Sequence, residues 1–447
     1  MRRFIYAGAI AMAATVGLAG PAMAGTSPES FKFSYDSDYA YNGLSQPYGG
    51  PTTTGQSYGT SVAIDPSDPS QKAYSLVEAY ANVGVGGVRG AFPATSRTIS
   101  PSSTTPSYLG PYSIVRRTRN GQIDRTFGDN GYVSAFPNST STSYKFTSMC
   151  IDPGTGRIVV VGQETTSSGT AGVVERLMPP ARGSGTATLD TSFNAGGATP
   201  GIVTIATPNG NNDPALYGCT VVDDGAGHSG AIIVGGVDDS ASSSLVLVSK
   251  ISSSGGFDTV FGTSGIVEYP VDSVNGSGTS AEITNVSLSG AQSTFPDVIL
   301  SGFSFKKNAP GTAATALTVA VKDRTGALDT NFNGYGELVN PSYGEAVLAR
   351  VASAHRGSGA GTASDLYIVY GTVGTDAAEF VDYPISGGVP DLAKPTTTRT
   401  GTFTVPADFA SMQGYAVNSR GQILVSGDTT SNKEMLTAIG GSSALGY

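Results

Sequence analysis

The chain has no tryptophan, two histidines and two cysteines in 447 residues. Two cysteines cannot complete a zinc site unaided. The histidines, His228 and His355, lie in Gly-rich turns with one repeat between them, a poor start for a shared site and the expected setting of solvated loop histidines. Charged residues make up 13%, against about 25% in an average globular chain. The net charge is −9, with no Lys/Arg-rich run. That balance argues against nucleic acid and anionic membrane as partners. The 61 glycines and 25 prolines follow no period of three, so a collagen-like helix is excluded and many tight turns are implied. No sustained helical period appears beyond the extreme N-terminus. Gly-x-Ser-x-Gly, His-Glu-x-x-His and phosphate-cradling glycine loops are missing as well.

The N-terminus reads as a processing signal. Arg2 and Arg3 form a basic head, Phe4 to Leu18 an apolar run, and Ala22-Met23-Ala24 a small-x-small cleavage site. The run is too short for a comfortable membrane span. Residues 1–24 are therefore expected to be removed after Ala24. Residues 25–447 are expected to be secreted or periplasmic, without a membrane span.

A phrase of Asp, Phe three residues on, then Gly and an aliphatic residue recurs through the mature region. It reads Asp124-Arg-Thr-Phe127-Gly, Asp190-Thr-Ser-Phe193, Asp258-Thr-Val-Phe261-Gly and Asp329-Thr-Asn-Phe332. The fixed period of about 70 residues implies one supersecondary unit copied in tandem. Asp can accept hydrogen bonds from amides two or three residues on and tighten a corner. Phe is the large apolar wedge, and the Gly after it tolerates positive φ. Four copies of one catalytic group, spread this far apart, make little chemical sense. The pattern is structural.

Around each phrase lie short β-branched runs bounded by Gly, Pro, Asn and Ser, the signature of strands. Examples are Arg157-Ile-Val-Val-Val-Gly162, Asp297-Val-Ile-Leu-Ser-Gly302 and Gln422-Ile-Leu-Val-Ser-Gly427. Four antiparallel strands per unit is the arithmetic of a propeller blade. Units beginning near residues 59, 146, 217, 282, 346 and 412 predict an all-β fold, a single six-bladed β-propeller of four-stranded blades; seven blades is the alternative. A worn phrase copy stands at Asp391. The last unit stops after its third run. The N-terminal stretch Asp38-Tyr-Ala-Tyr41-Asn-Gly43 looks like a decayed copy with Tyr for Phe, so an N-terminal strand is expected to close the ring and remove the exposed edge. Residues 81–111 form an insertion between the second and third runs of the first unit. Cys150 and Cys219 occupy strand-like runs. An exported chain permits a disulfide between them, but a two-residue stagger between unpaired inner strands favours two free, buried thiols.

The phrase Gly-x-Leu/Ile-Asp-x-x-Phe-Gly-x-x-Gly-x-Val, best kept in Gly121-Gln-Ile-Asp124 and Gly326-Ala-Leu-Asp329, resembles the delta-60 repeat family of bacterial exported proteins. The likeness covers nearly all of residues 25–447, with 25–58 and 371–411 degenerate. It implies a propeller-like fold and an exported location, and it transfers no catalytic residues. Asp-box turns of sialidase-type propellers end in Trp, so that analogy fails here.

Chemistry is thinly signalled. Asp36 with Asp38, Asp65 with Asp68, and Asp223 with Asp224 supply hard oxygen atoms but follow no calcium-loop pattern and read as surface turns. No metal and no cofactor are expected. Long loops carry function more often than short ones. On that ground Arg89, Arg97 and Tyr108 of the insertion are the candidate ligand-binding residues. The reading is an exported, monomeric, non-enzymatic binding or scaffold protein, for carbohydrate or a cell-surface protein partner. The alternative is a secreted hydrolase or lyase with carboxylates at the channel mouth.

Overall fold

Strands and turns, with no helix, make up the described residues of the computed structural model. Those residues are 44–45, 56–65, 68, 70, 72–80, 112–128, 131–135, 143–166, 169–183, 187–206, 213–222, 227–239, 244–271, 279–288, 297–306, 314–340, 343, 345–353, 364–372, 377–386, 389–390, 401–404, 409–417, 423–429 and 434–439. The insertion at 81–111 lies outside them.

The strands form antiparallel sheets in chain order. The first sheet is β2 (Gln56–Ile64), β3 (Ala73–Tyr80), β4 (Tyr112–Arg117) and β5 (Tyr132–Ala135). The second is β6 (Ser143–Ile151), β7 (Ile158–Thr166), β8 (Gly169–Leu177) and β9 (Ile202–Ile205). The third is β10 (Pro214–Val221), β11 (Ile232–Asp239), β12 (Ser244–Ile251) and β13 (Ile266–Tyr269). The fourth is β14 (Thr279–Leu288), β15 (Asp297–Lys306), β16 (Thr315–Lys322) and β17 (Glu337–Asn340). The fifth holds β18 (Glu345–Ser353), β19 (Ser364–Thr372), β20 (Ala377–Ser386), the short β21 (Val389–Pro390) and β22 (Gly401–Thr404), which pairs with β20. The last joins the two ends of the chain. In it β23 (Phe409–Val417), β24 (Ile423–Thr429) and β25 (Glu434–Ile439) are followed by β1 (Leu44–Ser45), with Leu44 opposite Thr437 and Ser45 opposite Leu436.

The first strands of successive sheets pack against one another, β2 on β6, β6 on β10, β10 on β14, β14 on β18 and β18 on β23. β23 packs in turn against β2. Each second strand is covered on both faces, which is why it reads as an uninterrupted aliphatic run. Ile158, Val159, Val160 and Val161 are all fully buried, and they alternate between two cores. Ile158 and Val160 join Leu76, Ile114 and Phe127 of the first sheet, while Val159 and Val161 join Leu216, Val234 and Leu247 of the third. Each such side chain contributes about 1.5–3 kcal/mol of burial.

Every first strand carries a β-bulge. The bulges leave Thr60, Thr147, Tyr217, Thr284 and Val347 without a register partner in their strands, and Ala410 and Gln413 in β23. The bulge explains the Gly that closes the aliphatic run. Gly162, Gly236 and Gly302 stand opposite the residue before the bulge, where the first-strand backbone presses in. A Cβ on Gly236 would lie 1.9 Å from the Ala215 carbonyl oxygen. Thr60, Thr147 and Thr284 donate their hydroxyls to the carbonyls of Leu76, Val161 and Ser301 across the bulge.

The expectation of free thiols is corrected. Cys150 and Cys219 form a disulfide between β6 and β10, with Cα atoms 5.7 Å apart. The expectation counted the stagger along the strands but not their lateral approach. β6 and β10 pack with no strand between them, and both cysteines point into the same buried layer.

Candidate functional site

All four repeats of the Asp phrase build the same corner. The Asp backbone amide donates to the carbonyl of Arg116, Arg176, Lys250 or Ala320 near the end of the third strand. The Phe amide donates back to the Asp carbonyl, and the following Gly131, Gly201, Gly265 or Gly336 amide donates to the Phe carbonyl. One carboxylate oxygen accepts the amide two residues on: Thr126 at 3.0 Å, Ser192 at 3.1 Å, Val260 at 3.0 Å and Asn331 at 3.1 Å. The residue after each Phe has positive φ, and it is Gly128, Asn194, Gly262 or Asn333, the two residue types that bear this conformation best. Phe127, Phe193, Phe261 and Phe332 are buried at 1%, 0%, 0% and 5% exposure, each in an inter-sheet core or facing one.

The phrase has a further member that spacing alone did not reveal. Arg116, Arg176 and Lys250 point their cations at the Asp of their own unit, at 3.0 Å from Asp124, 2.8 Å from Asp190 and 3.6 Å from Asp258. The guanidinium of Arg116 also lies 4.6 Å from the Phe127 ring centre, and that of Arg176 lies 4.4 Å from Phe193. Such stacking adds about 0.5–2 kcal/mol. Lys72 at 3.3 Å and Arg157 at 2.7 Å add second cations to Asp124 and Asp190. Burial works against ionisation of Asp124, but the Thr126 hydroxyl and amide, Arg116 and Lys72 outweigh it and hold the carboxyl below its ordinary range. Burial likewise opposes ionisation of Asp190, and Ser192, Arg176 and Arg157 overcome it. The sequence signal was available in retrospect: a cation eight residues before the Asp, at Arg116 and Lys250.

These corners also tie sheet to sheet. Arg176 reaches past Asp190 to donate to the Ser253 carbonyl of the third sheet at 2.7 Å. Lys250 donates to the Asp323 carbonyl of the fourth at 2.8 Å. The residue after Phe joins in, as Asn194 donates to the Ser254 carbonyl and Gly262 to that of Thr325. The repeat carboxylates are therefore committed to architecture.

Arg89, Arg97 and Tyr108 lie outside the described residues. So do His355, Asp36, Asp38, Asp223 and Asp224. His228 is exposed. Asp68 accepts the Ser70 amide and hydroxyl and lies 3.9 Å from Lys72, an ordinary turn. Among the described residues no three His, Cys, Asp or Glu side chains group as a metal site.

The opposite ends of the third and fourth sheets hold a polar group that sequence reading missed. Tyr217 is the bulge residue of β10, in the position where β2, β6 and β14 carry Thr. Burial pushes its hydroxyl up to about 12, and the charges of Glu282, Asp239 and Asp213 push the same way. Gln163 donates its amide to Asp213 at 2.8 Å, and Ser244 donates its hydroxyl to Asp239. Tyr217 thus presents a phenol among the charges of several carboxylates. Such a mixture recognises hydroxyl groups, and its carboxylates are also of the type used in acid–base chemistry. No sequence motif marks it, because its members come from five separate strands and one sheet-to-sheet connection.

No family model matches the chain, and no curated protein matches it. Among solved structures it is similar to the GH93 α-L-arabinofuranosidase of Fusarium graminearum in complex with arabinobiose, with a TM-score of 0.44 and 11% identity over 92% of this chain and 98% of that one. It is also similar to the lectin of Aleuria aurantia in complex with fucosides, with a TM-score of 0.37 and 9% identity over 84% of this chain and 90% of that one.

Proposed function

We propose that this chain is an exported, non-enzymatic binding protein of the delta-60 repeat kind. It is built on a single six-bladed β-propeller whose last blade is completed by the N-terminal strand β1. The disulfide supports export, since such bonds persist in oxidising compartments. The signal-like residues 1–24 point the same way. The pairing of β1 with β25 and the return of packing from β23 to β2 support closure. The binding reading is carried by the group around Tyr217, with its one protonated phenol and the carboxylates of Glu282, Asp239 and Asp213. Hydroxyl-rich ligands suit it, and carbohydrate is the class we assign. The same carboxylates favour a second reading, a secreted hydrolase or lyase.

A neutral-oligosaccharide array, incubated with the purified mature protein, separates the two. Binding predicts retained glycans, no new reducing ends on long incubation, and loss of retention in Tyr217→Phe and Glu282→Gln. An array that retains no glycan, or a rise in reducing ends that Glu282→Gln abolishes, overturns the binding reading.

A further inference from the structure

The first sheet holds a recess at the end where its Asp corner lies. Ser70 and Lys72 belong to the link from β2 to β3, and a tight turn at 118–121 follows β4. Ala73 pairs with Ile64 on one side and with Arg117 on the other, so Lys72 and Thr118 leave the sheet next to each other. The turn is closed by the Gly121 amide on the Thr118 carbonyl at 2.8 Å, with φ of 75° at Gly121. A space of about 400 Å³ opens there, bordered by Ser70, Lys72, Thr118, Arg119 and Asn120. That volume falls in the range of small-molecule sites, about 300–1,000 Å³. In the third and fourth sheets the matching turns receive the preceding sheet's Asp phrase, as Asn194 donates to the Ser254 carbonyl and Gly262 to that of Thr325.

The charge around the recess is opposite to that of the chain, which carries −9 overall. Residues 65–72 and 116–124 hold four cations, Lys72, Arg116, Arg117 and Arg119, against three carboxylates, Asp65, Asp68 and Asp124, a surplus of one positive charge. Lys72 is held at 3.3 Å from Asp124 and 3.9 Å from Asp68. Arg116 shares the same Asp124 at 3.0 Å, so that carboxylate faces two cations. Arg119 and Asn120 are exposed. Among the described residues the side chains of Thr118, Arg119 and Asn120 make no hydrogen bond or ion pair. Ser70 donates its hydroxyl to Asp68 at 2.5 Å, which leaves its oxygen as an acceptor. The lining therefore offers an open guanidinium fork, a positioned ammonium, an amide and two hydroxyl oxygens.

We propose that this recess binds an acidic sugar through its oxyanion. It is a ligand site separate from the Tyr217 group, which lies at the opposite ends of the third and fourth sheets, and it stands whether or not that group binds carbohydrate. The planar fork of Arg119 matches the oxyanion geometry, and Lys72 adds a point charge. Asn120 and Thr118 supply donors and acceptors for the ring hydroxyls. A single surplus positive charge suits a monoanion, carboxylate or sulfate ester, better than a phosphate near its dianionic form.

Titration of the purified mature protein at low salt with glucuronate, a glucose sulfate ester, glucose and inorganic phosphate tests the site, read by ligand-observed NMR. At least one acidic sugar should bind saturably, with glucose and phosphate weaker, and its affinity should fall as salt rises. Whichever acidic sugar binds tighter identifies the charged group as carboxylate or sulfate ester. Arg119→Gln should weaken that binding about tenfold or more, the effect of losing a charge-assisted pair. Arg119 is exposed, so this variant should melt with the parent. Tyr217→Phe should leave the binding unchanged. Failure of both acidic sugars to bind saturably, glucose or phosphate binding as tightly as they do, or an Arg119→Gln variant that binds like the parent would each overturn the assignment. Loss of binding in Tyr217→Phe would overturn the separate site.

Discussion

Glu175 is the residue most at odds with its surroundings. It is fully buried on β8, between Val160 and Ile202, and neither carboxyl oxygen has a hydrogen-bond partner. At the same register the other sheets carry Val115, Ser249 and Val319, and Ser249 finds the Gly265 carbonyl. Burial alone pushes the Glu175 carboxyl from 4.5 up to about 8. The native fold therefore holds this proton more tightly than the unfolded chain does. Its contribution to stability is fully present below about pH 4.5 and is lost as pH rises to about 8, at up to about 1.4 kcal/mol per pH unit. Asp124 and Asp190 act in the opposite sense, stabilising above the ordinary carboxylate range and failing as pH falls through their lowered values. Replacing Glu175 with Gln is expected to raise Tm at pH 7 to 8 and to flatten the pH profile between pH 5 and 8. Parallel melts of variant and parent across that window check it, and a constant gap would rule the assignment out.

At the scale of the element, the bulge of the first strand and the Gly of the second form one device. In the second, third and fourth sheets the bulge drives the backbone into the neighbouring strand, where a Cβ would clash with it. Gly236→Ala places a methyl 1.9 Å from the Ala215 carbonyl oxygen and must displace β10 or β11. A loss of about 1–3 kcal/mol is expected, the usual cost of forcing an extra carbon into a packed site. Gly196→Ala, where nothing lies within 4 Å of the added carbon, should be close to neutral. Urea midpoints for the two variants decide the matter, because equal midpoints would remove the explanation of the closing Gly.

For the whole molecule, the Cys150–Cys219 bond ties the second sheet to the third across 69 residues of chain. Closing a loop of this size stabilises by about 4 kcal/mol in the chain-entropy account. The purified mature protein, denatured without reductant, should show no reactive thiol, and Cys219→Ser should lower the unfolding midpoint. Two reactive thiols per chain would return the pair to the free state.

Much of this architecture was legible in the chain itself. The Asp phrase marked the corners, the aliphatic runs marked the doubly covered second strands, and the four Phe positions marked inter-sheet wedges, because each depends on neighbours close in sequence. The unit starts near residues 59, 146, 217, 282, 346 and 412 fall on the first strands of the observed sheets. What the chain did not disclose depends on how each corner folds back on its own strand and on approach between units. The cations at Arg116, Arg176 and Lys250 meet their Asp only because third-strand end and corner fold back on each other. The disulfide forms because first strands pack side by side, a distance that stagger along one strand does not express. Tyr217, Asp213 and Asp239 meet through the pairing of β10 with β11, and Glu282 of the fourth sheet comes within range of them only by the packing of successive sheets, which local sequence does not record.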